Sequence, residues 1–480
     1  MSENPYNPLQ PVIDPTHFYG RDQAFAFLKL NLSGRVNDKA LVIMGQRGIG
    51  KSSLLSYLPL VVDERYPAIH VDLSTLDLSS PVALVAMIVD KTRVMMNAIQ
   101  ASTYRLPAFP DPTDPAIDVL QWFADEYLDV VLAAIRRERH MVLMLDNIEL
   151  LFDAVERGAF PADFMDYLQV TLIRYDQLDL LATMHIVDEQ RVLRTAPFDE
   201  PHFHFRLTVL SPEESRALMT EPVAEVYQLA PQALARVQTL TGGHPFLLQA
   251  IGRLLFRRWE EARHIDLMTE TDLSAIYPAA LEMAGDTVDS LWQALSVNER
   301  LALTAMLDLW QHQETIHPND LRAWLQKTDY PLNELQLAAA LRSLEYWDVV
   351  RSVGEGHYAF TAELQAVWLA RHHAGQVEQL QNGTGQRFSL TNWGLIIAAV
   401  VMIIAGALLL NGWNNNDDDS RDPVQHDQPT STLGLDLAAT REAEQLTQTA
   451  IASITPSPTA TETPLPTPTI TPLPPFRFGG

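Results

Sequence analysis

Ala40–Leu55 reads ALVIMGQRGIGKSSLL. Its first five residues are apolar with no polar alternation, the pattern of a parallel strand covered on both faces. Gly45-x4-Gly50-Lys51-Ser52 follows at once, and Ser53-Leu54-Leu55 opens a helix. Strand, glycine-rich turn and helix in that order make a phosphate-binding loop.

Each residue type has a reason to be there. Gly45, Gly48 and Gly50 let the backbone wrap until its N–H groups point at phosphate oxygens. The helix that follows adds the partial positive charge of its N-terminus. The spacing assigns nucleotide contact to Gly45, Gln46, Arg47, Gly48, Ile49, Gly50, Lys51, Ser52 and Ser53. Lys51 reaches the β- and γ-phosphates of ATP, and the Ser52 hydroxyl is placed to ligate Mg2+.

A second acid is needed to hold the metal. His140–Leu145 (HMVLML) is another apolar run, and it ends in Asp146-Asn147-Ile148-Glu149. An acid at the carboxyl end of a buried strand makes sense if Mg2+ and water offset its charge, so Asp146 is expected on the metal with Ser52. Glu149 is the candidate general base for an attacking water; the alternative is a surface carboxylate on the loop. A neutral amide at Asn147 can orient water but takes no proton, so slow hydrolysis is expected.

Further strands are expected at Ala68–Leu73, Leu178–Met184 and Phe203–Leu207. A strand between the two nucleotide motifs is the arrangement of ATPases with an additional strand and a catalytic glutamate. Thr183 falls near the end of its strand, where such proteins place a polar γ-phosphate sensor, although threonine is also a good strand former.

The chain has 480 residues, 60 acidic against 34 basic, a net charge of −26. That balance argues against nucleic acid as the main partner, since such binding rests on Lys and Arg at phosphates. Without cysteine there are no disulfides and no thiolate chemistry. The first twenty residues lack an apolar stretch, so no cleaved signal peptide is expected.

After a linker at Gly375–Gln386, Trp393–Trp413 reads WGLIIAAVVMIIAGALLLNGW, uncharged with a tryptophan at each end. As a helix it would rise about 31 Å, the thickness of the hydrocarbon layer, with its tryptophans in the aromatic belts. One transmembrane helix is expected at 393–413. Residues 414–480 carry Asp417, Asp418 and Asp419 and then a Thr/Pro-rich run, read as a disordered, extended stalk. A short helix is conceivable at Ala438–Ile451. ATP is cytosolic, so the expected placement is a single-pass protein of the cell membrane, ATPase side inside and tail outside.

Asn4-Pro5-Tyr6 and Phe18-Tyr19-Gly20-Arg21-Asp22, ahead of the loop, resemble the "PY…FxGRe" opening of the STAND ATPases, the signalling branch related to AAA+ and origin-recognition ATPases. Leu210-Ser211-Pro212-Glu213-Glu214 is similar to their junction into a helical lid. Leu240-Thr241-Gly242-Gly243-His244-Pro245-Phe246 is similar to the lid's "tGGhP" motif, although two glycines before His-Pro also suit a simple helix stop and restart. The resemblance implies that Pro245 approaches the nucleotide and that an arginine after the sensor strand reads the γ-phosphate, with Arg191 and Arg194 both in range. Many relatives carry the catalytic acid directly after the metal-binding Asp, where this chain has Asn147.

Ser211–Arg263 has the helical spacing of a lid. Val288–Asp308, Pro318–Lys327 and Leu332–Leu344 read as three helices, and strands at Asp348–Val353 and His357–Phe360 flank Gly354-Glu355-Gly356. Three helices and a hairpin form a winged-helix pattern. Its third helix offers Arg342 against Glu334 and Glu345, which favours a structural or oligomerising role over DNA readout.

The expected architecture is α/β: a P-loop NTPase parallel sheet of the additional-strand type (1–210), a helical lid (211–285), a winged-helix-like domain (286–374), a linker (375–392), the transmembrane helix and the tail. The expected function is a membrane-anchored STAND/AAA-like ATPase that switches conformation, and by extension self-association, with ATP or ADP. The alternatives are an origin-recognition-like DNA-binding ATPase tethered to the membrane and a scaffold that binds ATP without hydrolysis. The protein partner is not legible.

Overall fold

The computed structural model describes residues 3–32, 39–114, 116–262, 266–328 and 332–373. The expected transmembrane helix at 393–413, its linker, the tail and the helix at 438–451 lie outside the described residues. No described helix is long and apolar enough to cross a membrane.

Helix α1 (Asp22–Asn31) leads into strand β1 (Ala40–Gly45), buried at every position, and the P-loop turns into helix α2 (Lys51–Val61). Strand β2 (Ala68–Asp72) and helix α3 (Pro81–Ala98) follow, then β3 (Met141–Asp146), β4 (Leu178–His185) and the short β5 (His204–Arg206). These strands form one parallel sheet in the order β2-β3-β4-β1-β5. Along the chain β2 separates the two nucleotide motifs, as expected. In the sheet, however, β4 lies between β1 and β3, and β2 is at the edge.

Burial explains the difference. β4 is buried at seven of its eight residues, whereas β2 alternates between buried and half-exposed positions. A strand with one wet face belongs at an edge, and a wholly apolar strand in the middle. Side-chain alternation then splits the sheet into two apolar layers. Leu41, Ile43, Val142, Met144 and Leu181 pack with Leu28, Leu54, Leu55 and Leu58 of α1 and α2. Val42, Met44, Leu143, Leu145 and Ala182 pack on the opposite face with residues of α3, such as Val85 and Val89.

The lid begins at Ser211, whose hydroxyl accepts the Glu214 N–H (3.1 Å) while the Glu214 carboxylate accepts the Ser211 N–H (2.8 Å). This reciprocal cap starts helix Pro212–Thr220; helices Pro231–Thr241 and Pro245–Glu261 complete the lid. The sequence pattern did not signal the two-residue strands Gln228–Leu229 and Leu267–Met268, which pair in parallel. The break at Gly242 is a helix stop in the left-handed region, with restart at Pro245.

The helix expected at Val288–Asp308 is two helices. Glu270–Ala294 runs for 25 residues, and a second cap at Ser296 and Glu299 begins Val297–Trp310. The division drawn between 285 and 286 therefore falls inside a continuous helix. Its apolar positions (Ile276, Ala280, Ala284, Val288, Leu291) are buried, and nothing local ends it before Leu295 turns extended. Helices Pro318–Lys327 and Glu334–Tyr346 follow, then the antiparallel strands Val350–Ser352 and Tyr358–Phe360. The last described helix, Glu363–His372, is held on Glu270–Ala294 by the Trp368 indole N–H, which donates to Asp289 at 2.7 Å.

The N-terminal segment straps lid to P-loop helix. Tyr6 is 2% exposed and donates its hydroxyl to the Met219 carbonyl at 3.0 Å. Six residues on, the Val12 N–H donates to the Ser53 hydroxyl at 3.0 Å. The Tyr6 ring lies on Gly252, where an added Cβ would come within 2.6 Å of it. Gly252→Val should therefore expel the ring and cost about 1–3 kcal/mol, against about 1 kcal/mol for Tyr6→Phe, which loses one hydrogen bond. Denaturant unfolding followed by far-UV circular dichroism measures both; equal effects would mean that the ring contact contributes nothing.

Candidate functional site

The strand-to-helix turn after β1 sets the site. Gly48 and Gly50 have φ of +73° and +100°, a region open to glycine and costly for other residues. Gly48 is constrained from above as well, since a Cβ there would lie 2.8 Å from Phe246 and 3.3 Å from the His244 ring of the lid. Gln46 and Ile49 turn inward to the core and Arg47 outward. Lys51 is 8% exposed, and its ammonium donates to the carbonyls of Gly45 (3.0 Å) and Gln46 (2.9 Å). Burial lowers its pKa, and the nearby Glu149 and Asp146 carboxylates offset part of that shift. Ser53 is spent on Val12, which leaves Ser52 as the hydroxyl facing the acid.

That acid, Asp146, is fully buried at the end of β3. Burial raises its pKa, but interactions with His70, Ser52 and Thr183 more than compensate and hold it below the usual value. Its Oδ1 accepts a short hydrogen bond from the Thr183 hydroxyl. Its Oδ2 lies 3.6 Å from His70 Nε2 and has no hydrogen-bond partner among the described residues. A buried carboxylate oxygen without a partner, beside a serine hydroxyl, fits a hard cation that takes oxygen ligands. Asp146 and Ser52 would hold Mg2+, which would neutralise developing phosphate charge.

Glu149 starts the helix Glu149–Glu156 and faces the cavity. Its Oε1 accepts the His185 N–H at 3.3 Å, and its Oε2 is buried with no hydrogen-bond partner among the described residues. Burial pushes its pKa up to about 7, with Lys51 pulling the other way and Asp188 adding to the rise. A carboxyl poised near neutrality can both take and release a proton.

Lys51, Ser52 and Glu149 border a cavity of about 730 Å3, whereas the fully buried Asp146 is not part of its lining. The P-loop and Glu149 line one part of it. Asn7, Val12, Tyr19, Pro245, Phe246 and Gln249 line another, so Pro245 does border the space that a nucleotide would fill. Arg21 crosses beneath the loop, donating to the carbonyls of Ile49 (2.7 Å) and Thr208 (2.6 Å).

A family description, Novel STAND NTPase 1, matches residues 5–346. The chain belongs to that family. The fold of this STAND NTPase is similar to that of a Walker-type ATPase of Pyrococcus abyssi, at 14% identity, 75% of this chain, 98% of that one and a TM-score of 0.53. It is also similar to the ORC2 protein of Aeropyrum pernix, solved as ADPNP–ADP complexes, at 16% identity, 78% and 98% coverage and a TM-score of 0.53. No curated protein matches the chain.

Two expected placements, that of Thr183 and that of the arginine, differ in this STAND NTPase. Thr183 is fully buried and does not line the cavity. Its hydroxyl donates to Asp146 and accepts the Asn147 N–H at 3.1 Å, so it positions the acid instead of meeting phosphate. The cavity-lining residue at the tip of the strand is His185. Its Nδ1 accepts the Val187 N–H at 3.2 Å, leaving Nε2 as the protonated nitrogen, and burial with the Lys51 and Arg47 charges lowers its pKa to about 4. The only advance signal was a polar residue closing an apolar strand. Arg191 pairs with Asp153 (2.6 Å) and Asp188 (2.7 Å), and both it and Arg194 lie outside the cavity lining, which includes Arg21 and Arg47.

His244 is 2% exposed, and burial lowers its pKa to about 4, so it is a neutral wedge between lid and P-loop. Glu149 gives the measurable consequence. With a pKa raised to about 7, its basic form grows as pH rises, from about a tenth at pH 6 to about nine-tenths at pH 8. ATP turnover should climb over that interval, and Glu149→Gln should remove the climb and lower kcat about 100-fold or more. A Glu149→Gln protein with unchanged rate and pH profile would exclude Glu149 as the base.

Proposed function

We propose that this chain is a membrane-anchored STAND ATPase that binds ATP with Mg2+, hydrolyses it slowly and uses the nucleotide state as a conformational switch. One observation carries the switch. Tyr346, Trp347 and Asp348, consecutive residues at the end of the helix Glu334–Tyr346, each meet the carboxyl end of a different strand of the ATPase sheet. The Tyr346 hydroxyl lies 3.7 Å from the Met44 sulfur of β1. Trp347 meets the ring of His185 on β4 edge to face, with centroids 6.2 Å apart. Asp348 pairs with Arg206 of β5 at 2.7 Å, and that guanidinium also stacks over the Tyr346 ring at 4.5 Å.

The C-terminal module is thus seated on the rim of the cavity. Of its three footholds, His185 also lines that cavity. A terminal phosphate beside His185 would alter the surface against which Trp347 packs, so ATP and ADP would bias the seating differently. The three helices and hairpin support a winged-helix-like reading of the module. Its third helix ends against the ATPase sheet, which supports an intramolecular or self-associating role over duplex DNA. Slow hydrolysis rests on the amide at Asn147. The anchor rests on the apolar run at 393–413, with the ATPase body cytoplasmic and the tail extracytoplasmic.

Asp348→Ala should loosen the module by about 1–3 kcal/mol, the cost of leaving a half-buried arginine without its ion-pair partner. Hydrogen exchange across residues 340–360 should then be faster in the variant. In the native protein it should differ between ADP and a non-hydrolysed ATP analogue, and identical exchange with both and without nucleotide would refute the switch. The full chain should stay with membranes after alkaline extraction and a chain ending at residue 375 should not; equal release would remove the anchor.

A further inference from the structure

Asp72 closes β2, directly opposite Asp146 in the parallel register, and both Asp72 and Asn147 line the nucleotide cavity. The Asp72 Oδ1 accepts from the Ser74 N–H (3.0 Å), the Ser74 hydroxyl (2.7 Å) and the Asn147 amide Nδ2 (3.1 Å). Asn147 is pinned from the other side too. Its N–H donates to the Thr183 hydroxyl at 3.1 Å, and its φ of +64° is a left-handed conformation that asparagine tolerates. A side-chain amide can be turned either way round, but a carboxylate only accepts. Asp72 therefore dictates that Asn147 presents its NH2 to β2. The Asn147 Oδ1, which has no hydrogen bond among the described residues, is left as an acceptor in the cavity that Glu149 also lines.

We propose that Asp72 is a positioning residue for hydrolysis: it fixes the Asn147 amide so that Oδ1 orients the attacking water for Glu149. The water oxygen bonds to the γ-phosphorus while the bond to the β-bridging oxygen breaks, and that electron pair leaves with ADP. The water proton goes to the Glu149 carboxylate, and Asn147 takes none. The division of labour accounts for an amide where an acid would be expected. The acid that completes the pair is on the neighbouring strand, and Asn147 is its donor. This inference rests on the hydrolytic reading of the site.

The full-length chain is tested by exchanging donor and acceptor. Asp72→Ala frees the amide and should lower kcat about tenfold while KM and ATP affinity hold. Asp72→Asn keeps an acceptor for both Ser74 and Asn147 and should stay within about threefold of the native rate. Asn147→Asp sets two carboxylates face to face and should be at least as slow as Asp72→Ala. The double variant Asp72→Asn/Asn147→Asp restores a donor–acceptor pair of reversed polarity and should recover most of the loss, a coupling that independent effects would not produce.

A double variant no faster than Asn147→Asp alone, or an Asp72→Ala protein with native kcat, would overturn the proposal. Loss of ATP affinity in step with kcat would reduce Asp72 to a cap for the Leu73–Thr75 turn and overturn it equally. A native chain with no turnover at all would instead sink the hydrolytic reading itself, a separate outcome from native turnover that ignores the exchange.

Discussion

Asp146 has no access to solvent, and an isolated carboxylate in that position would be costly. The surroundings answer the cost with groups drawn from three other elements: Ser52 from the P-loop helix, His70 from β2 and Thr183 from β4. None of these is near Asp146 in the chain. Strand order brings them together, because β4 between β1 and β3 places Thr183 beside the acid, and β2 on the far side brings His70 up to its second oxygen. The same order sets Glu149, Asn147 and His185 around one cavity, so the chemistry of the site follows from how this one charge is accommodated.

Around that centre, three other parts of the chain meet the P-loop and the strand ends. The lid touches the P-loop through His244 and Phe246, the N-terminal strap crosses from lid to loop, and the C-terminal module sits on three strand ends. These contacts are polar in part, and Val12, Ser53, His185 and Phe246 among them line the cavity. An ion pair and an aromatic edge contribute little beside the apolar layers under the sheet. The apolar layers therefore hold the sheet together, and the rim contacts add little to that.

Local patterns were the legible part. The apolar run before Gly45, the Gly-Lys-Ser spacing and the acid closing a second apolar run located the P-loop and Asp146 without any knowledge of strand order. The helix stop at Gly242, the hairpin around Glu355 and the helix Pro318–Lys327 were equally clear, since each depends on residues within one or two turns of chain. Less legible was any helix whose end is set by packing: the break after Ala294 depends on Ser296 and Glu299 capping a new helix, and the run up to it reads as uninterrupted.

What the sequence alone determined is the set of groups available at the site: a phosphate-binding loop, an acid closing a buried strand, a glutamate three residues on and an amide where another acid could stand. What only the tertiary structure decided is which side chains meet. Thr183 and His185 are two residues apart on one strand and share a face, but Thr183 lies within the sheet beside Asp146 and His185, at the strand's tip, reaches the cavity. Asp72 and Asn147 are 75 residues apart and come together because two parallel strands are in register. Composition and spacing describe a residue's own capacity; the hydrogen bond that fixes its orientation comes from a partner that the chain brings near only when it folds.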